Sequence, residues 1–305
     1  GSQVAAWLTL LGYDAYDLKF GTNGLIFDQM VGHTWGGPAD YPYEGQVEAP
    51  AEFDMLIDYL EGDNGDYINV AAPKVVNAVD VMADFDAWTI LDIRTADKYG
   101  PDANGDWQKT GNGTPDYEDA HIEGAINVPF TDIATYAAAN LTGDEKILVV
   151  CYTGHDAGHI TMVLNLLGYD AYSLNSGMSA WNADHDLWTA NTSSDFGAQF
   201  TTDADTGKNE AGDYPTIETE LTDGEEIMKE RIDALLAGAH RYIKAADLFA
   251  AIDDYYVINY WPEAEYLDPG HIIGSHQYSP KSSLHTDMDL ATLPTDMPIV
   301  VYCYS

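Results

Sequence analysis

The sequence predicts an α/β protein in which parallel sheets are covered on both faces by helices. Short apolar runs alternate with segments of helical spacing through the middle of the chain. A long internal repeat indicates two copies of this arrangement, and 305 residues are enough for about two domains. In a sheet of this kind the ligand site lies at the carboxyl ends of the strands.

The elements of the middle region are predicted from periodicity and from residues that end helices and strands. The predicted strands, which are apolar runs ending at a polar residue, a proline or a turn, are 88–91, 125–128, 146–150 and 171–174. The predicted helices are 78–86, 131–140 and 157–167, the last closed by Gly168. Towards the end of the chain, 203–213 is predicted to be a loop and 225–239 to be helical.

The internal repeat relates both ends of the chain to its middle. Residues 8–18 read LTLLGYDAYDL and residues 164–174 read LNLLGYDAYSL. The closing residues 299–305 parallel residues 147–153, so that each copy has a cysteine at the end of an apolar strand. One copy is therefore contiguous, while the other is divided between the two ends of the chain.

The repeat predicts the domain organisation. The predicted parts are a contiguous domain at 70–185, a split domain formed by 236–305 with 1–31, and connecting segments at 32–69 and 186–235. Alignment of the copies places Gly1 opposite Ala157 and Ser305 opposite Thr153, inside the loop after the cysteine. Three explanations are open: circular permutation, a fragment of a longer repeat array cut at exposed loops, or head-to-tail completion of one chain by the next.

The charge balance excludes several classes of partner. The chain has 12 Lys and Arg against 51 Asp and Glu, a formal net charge of −39. Nucleic acids and anionic membranes are not expected to bind, because both are recognised through basic groups. Insertion into a membrane is not expected either, since no apolar run approaches the roughly 20 residues required. Such acidity favours an exported protein or a high-salt environment.

The two cysteines, Cys151 and Cys303, occupy equivalent strand ends, which predicts two copies of one site rather than a disulfide. The segment 151–157 reads CYTGHDA and leads from a strand into a helix. Such a loop turns backbone N–H groups towards one point, and the helix dipole adds positive charge. We therefore expect a lowered thiol pKa at Cys151 and a loop able to hold an oxyanion or a persulfide. Gly154 can adopt the backbone conformation that the turn requires, because glycine has no side chain.

Five segments taken together resemble a rhodanese, or sulfurtransferase, domain. They are LDIR (91–94), YEDAHIEGAINVP (117–129), VVCYTGHDA (149–157), LLGY (166–169) and GMSAW (177–181). The resemblance implies a five-stranded parallel sheet flanked by helices in each domain, and a cysteine that carries sulfane sulfur to a thiophilic acceptor. It implies no required cofactor. By position, the implied site residues are Cys151 as sulfur carrier, Tyr152, Thr153, Gly154, His155, Asp156 and Ala157 as its loop, and Asp92, Arg94 and His121 as supporting residues.

The split copy departs from this pattern. Asn259-Tyr260-Trp261 stands where Asp92-Ile93-Arg94 stands in the intact copy, so the supporting pair is missing. Cys303 is therefore only a second candidate for catalysis, and tandem rhodaneses commonly pair one active with one inactive domain. Phosphatases that share the fold need a longer loop ending in Arg, whereas position 157 is Ala. The absence of Lys and Arg from the loop also disfavours thiosulfate, so a persulfide-carrying protein, or polysulfide at high salt, is the expected donor.

Acidic loops form a second group of candidate residues. Asp102, Asn104 and Asp106 alternate around glycine in an insertion before the His121 segment, a pattern that suits Ca²⁺. No Glu occupies the final position of an EF-hand loop, so the signal is weak. Two hypotheses follow: a sulfurtransferase or sulfur carrier acting through Cys151, or a non-catalytic rhodanese-fold protein of an extracellular assembly, stabilised by Ca²⁺. Head-to-tail self-association belongs to the second hypothesis.

Overall fold

The computed structural model describes residues 1–18, 51–96, 99–101, 107–109, 120–205, 207–238 and 240–303. The chain forms two compact units. The central unit comprises Lys74–Ala190 and Leu236–Ala239, and the terminal unit comprises Gly1–Pro73, Asn191–Leu235 and His240–Ser305.

Helices and short strands alternate along the described residues. The helices are α1 (Ser2–Leu10), α2 (Ala51–Asp58), α3 (Ala78–Ala83), α4 (Ile133–Asn140), α5 (His155–Leu166), α6 (Met178–Trp181), α7 (Gly224–Ala237), α8 (Ala245–Ala250) and α9 (Glu263–Leu267). The strands are β1 (Ala15–Leu18), β2 (Val75–Val76), β3 (Trp88–Asp92), β4 (Tyr99–Pro101), β5 (Trp107–Lys109), β6 (Ile126–Asn127), β7 (Lys146–Val150), β8 (Asp170–Leu174), β9 (Phe200–Thr201), β10 (Tyr242–Ile243), β11 (Tyr256–Asn259), β12 (His271–Ile272), β13 (His276–Gln277) and β14 (Ile299–Tyr302).

The central unit is built on a five-stranded parallel sheet with the order β2-β8-β7-β3-β6. This confirms the predicted fold class. The strand predicted at 125–128 is only two residues long, because β6 lies at the sheet edge and is followed by Pro129, which cannot donate to a ladder. The strand predicted at 146–150 is observed with the same bounds.

The middle strand of this sheet is apolar because both of its faces are covered. In β7 the four residues after Lys146 are buried, and Leu148 and Val150 pack with Val81 of α3 and Met178 of α6. Burial of each such side chain contributes about 1.5–3 kcal/mol before the loss of conformational entropy. This packing fixes the carboxyl end of β7, where the sequence places its cysteine.

The terminal unit contains a second five-stranded parallel sheet, with the order β10-β1-β14-β11-β13. β1 lies between β10 and β14, as β8 lies between β2 and β7 in the central unit. Tyr16 near the start of the chain is in register with Val300 near its end. Two strands far apart in sequence are thus direct neighbours in one sheet.

Much of the segment predicted to connect domains packs within the terminal unit. β9 pairs antiparallel with β12, and the Glu52 carboxylate of α2 accepts a hydrogen bond from Thr219 N at 2.6 Å. Arg231 of α7 donates to Leu10 O at 2.7 Å and to Thr9 O at 2.9 Å, and so satisfies carbonyls at the C-terminal end of α1. The helix predicted at 225–239 is α7.

Candidate functional site: the Cys151 loop

Cys151 directly follows β7, at the carboxyl edge of the central sheet. The residue is 1% exposed. A short turn connects it to α5, whose N-cap is Gly154 in the left-handed conformation. The helix starts at His155, two residues before the predicted 157, because the turn closes at this glycine. The name cysteine loop is used below for residues 151–157.

Two backbone amides at the start of α5 point at the Cys151 sulfur. Gly154 N lies 3.1 Å and Ala157 N lies 3.3 Å from Cys151 Sγ. These are N–H groups that the helix itself cannot satisfy, and they lie at the positive end of its dipole. The loop can therefore stabilise negative charge on this sulfur, or on a second sulfur attached to it.

The close turn of the cysteine loop depends on two glycines. Gly154 has φ +91°, and a Cβ there would lie 3.0 Å from Ser176 N. Gly177 packs against the outside of the loop, where a Cβ would lie 2.8 Å from the backbone nitrogens of Thr153 and Gly154. A side chain at either position would displace the backbone that forms the amide pair.

Residues after β8 hold the loop from its outer side. Met178 N donates to Cys151 O at 2.9 Å, and Ser179 Oγ donates to Tyr152 O at 2.9 Å. Ser179 Oγ in turn accepts from Leu187 N at 3.1 Å. The loop carbonyls are thus directed away from the sulfur while the amides are directed towards it.

The Asp92–Arg94 pair supports the site as a fully buried ion pair. Arg94 Nη2 lies 2.7 Å from Asp92 Oδ2, and Arg94 Nε donates to Asp92 Oδ1 at 3.0 Å. The same Nη2 donates to Ala120 O at 2.8 Å, and the guanidinium carbon lies 5.7 Å from the centre of the Tyr152 ring. His121, next to Ala120, is exposed, and its role stays a prediction.

Asn127 belongs to the support of the site but is not among the predicted site residues. Its Nδ2 donates to Asp92 O at 2.8 Å and to Arg94 O at 2.9 Å, which ties β6 to the chain segment after β3. In the terminal unit Gln277 makes a similar contact, with its Nε2 donating to Trp261 O at 2.6 Å. An amide side chain at the same position of both repeats was the sequence signal that could have identified Asn127.

The polar side chains of the cysteine loop lie at different depths. His155 is buried, and its Nδ1 lies 2.9 Å from Thr153 Oγ1. Trp188 stacks on His155 with ring centroids 5.6 Å apart, and its Nε1 donates to Thr153 O at 3.1 Å. Asp156 is half-buried in the first turn of α5. Trp188 lies outside every predicted site segment, and no spacing in the sequence points to it.

The expectation of a lowered thiol pKa at Cys151 is wrong for the resting site. Burial raises the pKa of Cys151 to about 12, and the negative charge of Asp156 acts in the same direction. The hydrogen bonds from Ala157, Thr153 and Gly154 lower the pKa but do not offset the loss of solvation. Cys151 therefore rests as a neutral thiol at neutral pH.

Cys303 has a different environment at the end of β14 in the terminal unit. Its side chain is half-buried, and the backbone nitrogen of Gly1 lies 2.8 Å from its Sγ. Asp17, which is 3% exposed, lies close to Gly1. Asn259 and Trp261 replace the ion pair of the central unit. Gly1 is opposite Ala157 in the repeat, so the two cysteines share one nitrogen contact, and their sites differ at the ion pair.

No group of three or more His, Cys, Asp or Glu side chains suitable for a metal ion occurs within the described residues. The predicted Ca²⁺ ligands Asp102, Asn104 and Asp106 lie outside those residues. Among the helices of the described part of the chain, none has the length and apolar character needed to cross a bilayer.

Comparison with known proteins identifies one domain. The family model "Rhodanese-like domain" matches residues 76–184. No curated protein matches the chain. Among solved structures, a rhodanese-related protein from Thermoplasma volcanium is 22% identical, with 36% of this chain and 90% of that chain covered and a TM-score of 0.28.

Two other similar structures carry more specific names. A thiosulfate sulfurtransferase from Pseudomonas aeruginosa is 18% identical over 82% of this chain and 40% of that chain, with a TM-score of 0.29. An NAD-dependent persulfide reductase from A. fulgidus is 18% identical over 36% of this chain and 16% of that chain, with a TM-score of 0.24. The family match coincides with the central sheet and with Cys151, and residues 76–184 of this chain are a rhodanese-like domain.

Proposed function

We propose that the protein is a sulfurtransferase or sulfur carrier that moves sulfane sulfur through a persulfide on Cys151. The observation that carries this proposal is the pair of backbone amides from Gly154 and Ala157 on the Cys151 sulfur. At the level of the family, the rhodanese-like domain supports sulfur transfer. The amides suit a sulfur atom that gains and loses negative charge during a reaction cycle.

The transfer consists of two displacements without net oxidation. Cys151 sulfur attacks the terminal sulfur of a donor persulfide, the donor S–S bond breaks, and the donor leaves as a thiol. The proton of the Cys151 thiol passes to the leaving sulfur, so a neutral resting thiol is compatible with the step. A thiophilic acceptor then attacks the outer sulfur of the Cys151 persulfide and releases the Cys151 thiolate, which takes up a proton.

The amide pair contributes to both displacements. The N–H groups of Gly154 and Ala157 stabilise the anion that forms on the sulfur of Cys151 as its proton departs. They also stabilise the thiolate released in the second step. Because Cys151 is 1% exposed, water is largely excluded and each hydrogen bond is worth more than in solution.

The electrostatics support a donor other than a small dianion. The cysteine loop contains no Lys or Arg, and it contains Asp156. The guanidinium of Arg94, whose central carbon lies 5.7 Å from the Tyr152 ring, is paired with Asp92. With a net charge of −39 the chain repels free anions at low salt. We propose a persulfide-carrying protein as donor, or polysulfide where the salt concentration is high.

The test is sulfur loading followed by cyanolysis. The protein is incubated with polysulfide, with a protein persulfide or with thiosulfate, and mass spectrometry locates added sulfur. We expect one extra sulfur atom on Cys151, its release by cyanide as thiocyanate, and weaker loading from thiosulfate than from the protein persulfide at low salt. A Cys151→Ser variant serves as the control. If none of these donors adds sulfur to Cys151, the proposed function is wrong.

A further inference from the structure

The peptide bond between Thr153 and Gly154 is held at both of its polar ends. Its N–H is the Gly154 amide, which lies 3.1 Å from Cys151 Sγ. Its C=O is the Thr153 carbonyl, which accepts a hydrogen bond from Trp188 Nε1 at 3.1 Å. Since a trans peptide is planar, its N–H and C=O point in opposite directions, and fixing one group fixes the other. Trp188 is therefore connected to the reactive sulfur through a single peptide plane.

This peptide needs an external restraint because a glycine follows it. Gly154 has φ +91°, and glycine tolerates backbone conformations on both sides of φ zero. Rotation of the 153–154 peptide would turn its N–H away from Cys151 Sγ and bring the Thr153 oxygen towards the sulfur. A carbonyl oxygen there would oppose negative charge on the sulfur. The indole N–H of Trp188 opposes this rotation because its hydrogen bond would be lost.

Trp188 also restrains the side chains on this peptide. Its ring stacks on His155 at an interplanar angle of 18°, and His155 Nδ1 lies 2.9 Å from Thr153 Oγ1. The indole thus contacts the carbonyl of Thr153 directly and its side chain through His155. Trp188 lies beyond residue 184, where the family match ends, so these contacts belong to the segment that follows the matched domain.

We propose that Trp188 is a positioning residue that holds the 153–154 peptide with its N–H directed at the Cys151 sulfur. The hydrogen bond to the carbonyl also polarises the peptide and strengthens donation by its N–H. The proposal rests on the proposed function in one respect, namely that the oriented amide serves sulfur transfer. The orientation itself can be measured without any sulfur donor.

The test compares Trp188→Phe with Trp88→Phe. Both variants replace an indole by a phenyl ring, but Trp88 lies at the start of β3, at the opposite end of the central sheet from the cysteine. The measurement is the rate at which iodoacetamide alkylates Cys151 at several pH values, resolved by peptide mass spectrometry. Well below its pKa, the reactivity of a thiol follows the fraction present as thiolate.

Loss of the indole N–H should slow Cys151 alkylation about tenfold at each pH, equivalent to a rise of about one unit in its pKa. Trp88→Phe should leave the rate unchanged. A merely structural role for Trp188 predicts the opposite sign, because loosening the loop would expose the buried Cys151 and speed alkylation. An unchanged or faster rate in Trp188→Phe overturns the proposal.

A second measurement on the wild-type protein covers the case in which Trp188→Phe does not fold. The indole N–H resonance of Trp188 should shift in NMR spectra when Cys151 is alkylated, and that of Trp88 should not. The absence of a shift at Trp188 overturns the proposal. If wild-type Cys151 accepts no sulfur, the proposed function fails, whereas the alkylation and NMR comparisons still decide the role of Trp188.

Discussion

The cysteine that follows β7 in the central unit and the cysteine that follows β14 in the terminal unit share a sheet topology but differ in the charged residues near them. Cys151 receives the amides of Gly154 and Ala157. Cys303 Sγ lies 2.8 Å from the backbone nitrogen of Gly1, which the repeat places opposite Ala157, and the buried carboxylate of Asp17 lies close to Gly1. The repeat therefore preserves the strand end and one nitrogen contact, while the charged residues near the cysteine change.

The difference extends to the residues at the end of the strand beside each cysteine. In the central unit a buried ion pair, Asp92 and Arg94, lies beside the cysteine loop, whereas Asn259 and Trp261 occupy the equivalent positions of the terminal unit. Trp261 is 1% exposed and packs edge-on against Tyr302. In the terminal unit an aromatic ring therefore occupies the position that the charged guanidinium of Arg94 occupies in the central unit.

The largest expected effect concerns the two cysteines themselves. Cys151→Ser should reduce sulfur transfer to cyanide by at least about a thousandfold, because it removes the nucleophile. Cys303→Ser should retain most of the activity, because Asn259 and Trp261 replace the buried ion pair beside this cysteine. Thiocyanate production with polysulfide as donor measures both variants. Equal losses in the two variants would show that the sites are equivalent.

Removing the charge of Arg94 should destabilise the protein strongly. Arg94→Ala leaves Asp92 as an uncompensated buried carboxylate, at a cost of about 3–5 kcal/mol in the free energy of unfolding. A double variant, Asp92→Asn with Arg94→Trp, copies the terminal unit and should recover part of this loss. Urea denaturation followed by circular dichroism measures both. A loss under about 1 kcal/mol in Arg94→Ala would contradict a structural role for the ion pair.

Gly177→Ala should damage the cysteine loop more than a substitution at an unpacked glycine. The added Cβ would lie 2.8 Å from Thr153 N and from Gly154 N, so the loop would have to move. We expect a loss of about 2–3 kcal/mol in the free energy of unfolding, together with lower sulfur loading. Gly143→Ala is the control, since Gly143 also has a positive φ, +87°, but has open space around it. Similar losses of stability in both variants would show that the effect comes from backbone strain at a positive φ and not from displacement of the cysteine loop.

The pH dependence of Cys151 should reflect its raised pKa. With a pKa of about 12, the thiolate fraction rises about tenfold for each pH unit between pH 7 and 10, without a plateau. Asp156→Asn removes a negative charge that disfavours the thiolate, so alkylation should become about two- to fivefold faster at each pH. Peptide-resolved alkylation kinetics measure both effects. A plateau near pH 8 would contradict the effect of burial.

Much of the central unit could be predicted from the sequence because its signals are local. The apolar run at 146–150 matches the bounds of β7, Gly168 marked the end of α5 to within one residue, and the family motifs located Cys151 and its loop. The raised pKa of Cys151 was not predicted, since it depends on burial, which the loop motif does not reveal. Trp188 was missed because its contacts join residues 35 positions apart in sequence, with no spacing rule between them.

Site-resolved mass spectrometry of the wild-type protein after exposure to polysulfide tests the central claim most directly. Peptides containing Cys151 and Cys303 are quantified in the same digest before and after cyanide treatment. One sulfur atom added to Cys151 and removed by cyanide, with Cys303 largely unmodified, is the predicted result. Sulfur on Cys303 alone, or on neither cysteine, would contradict the assignment of sulfur transfer to the Cys151 loop.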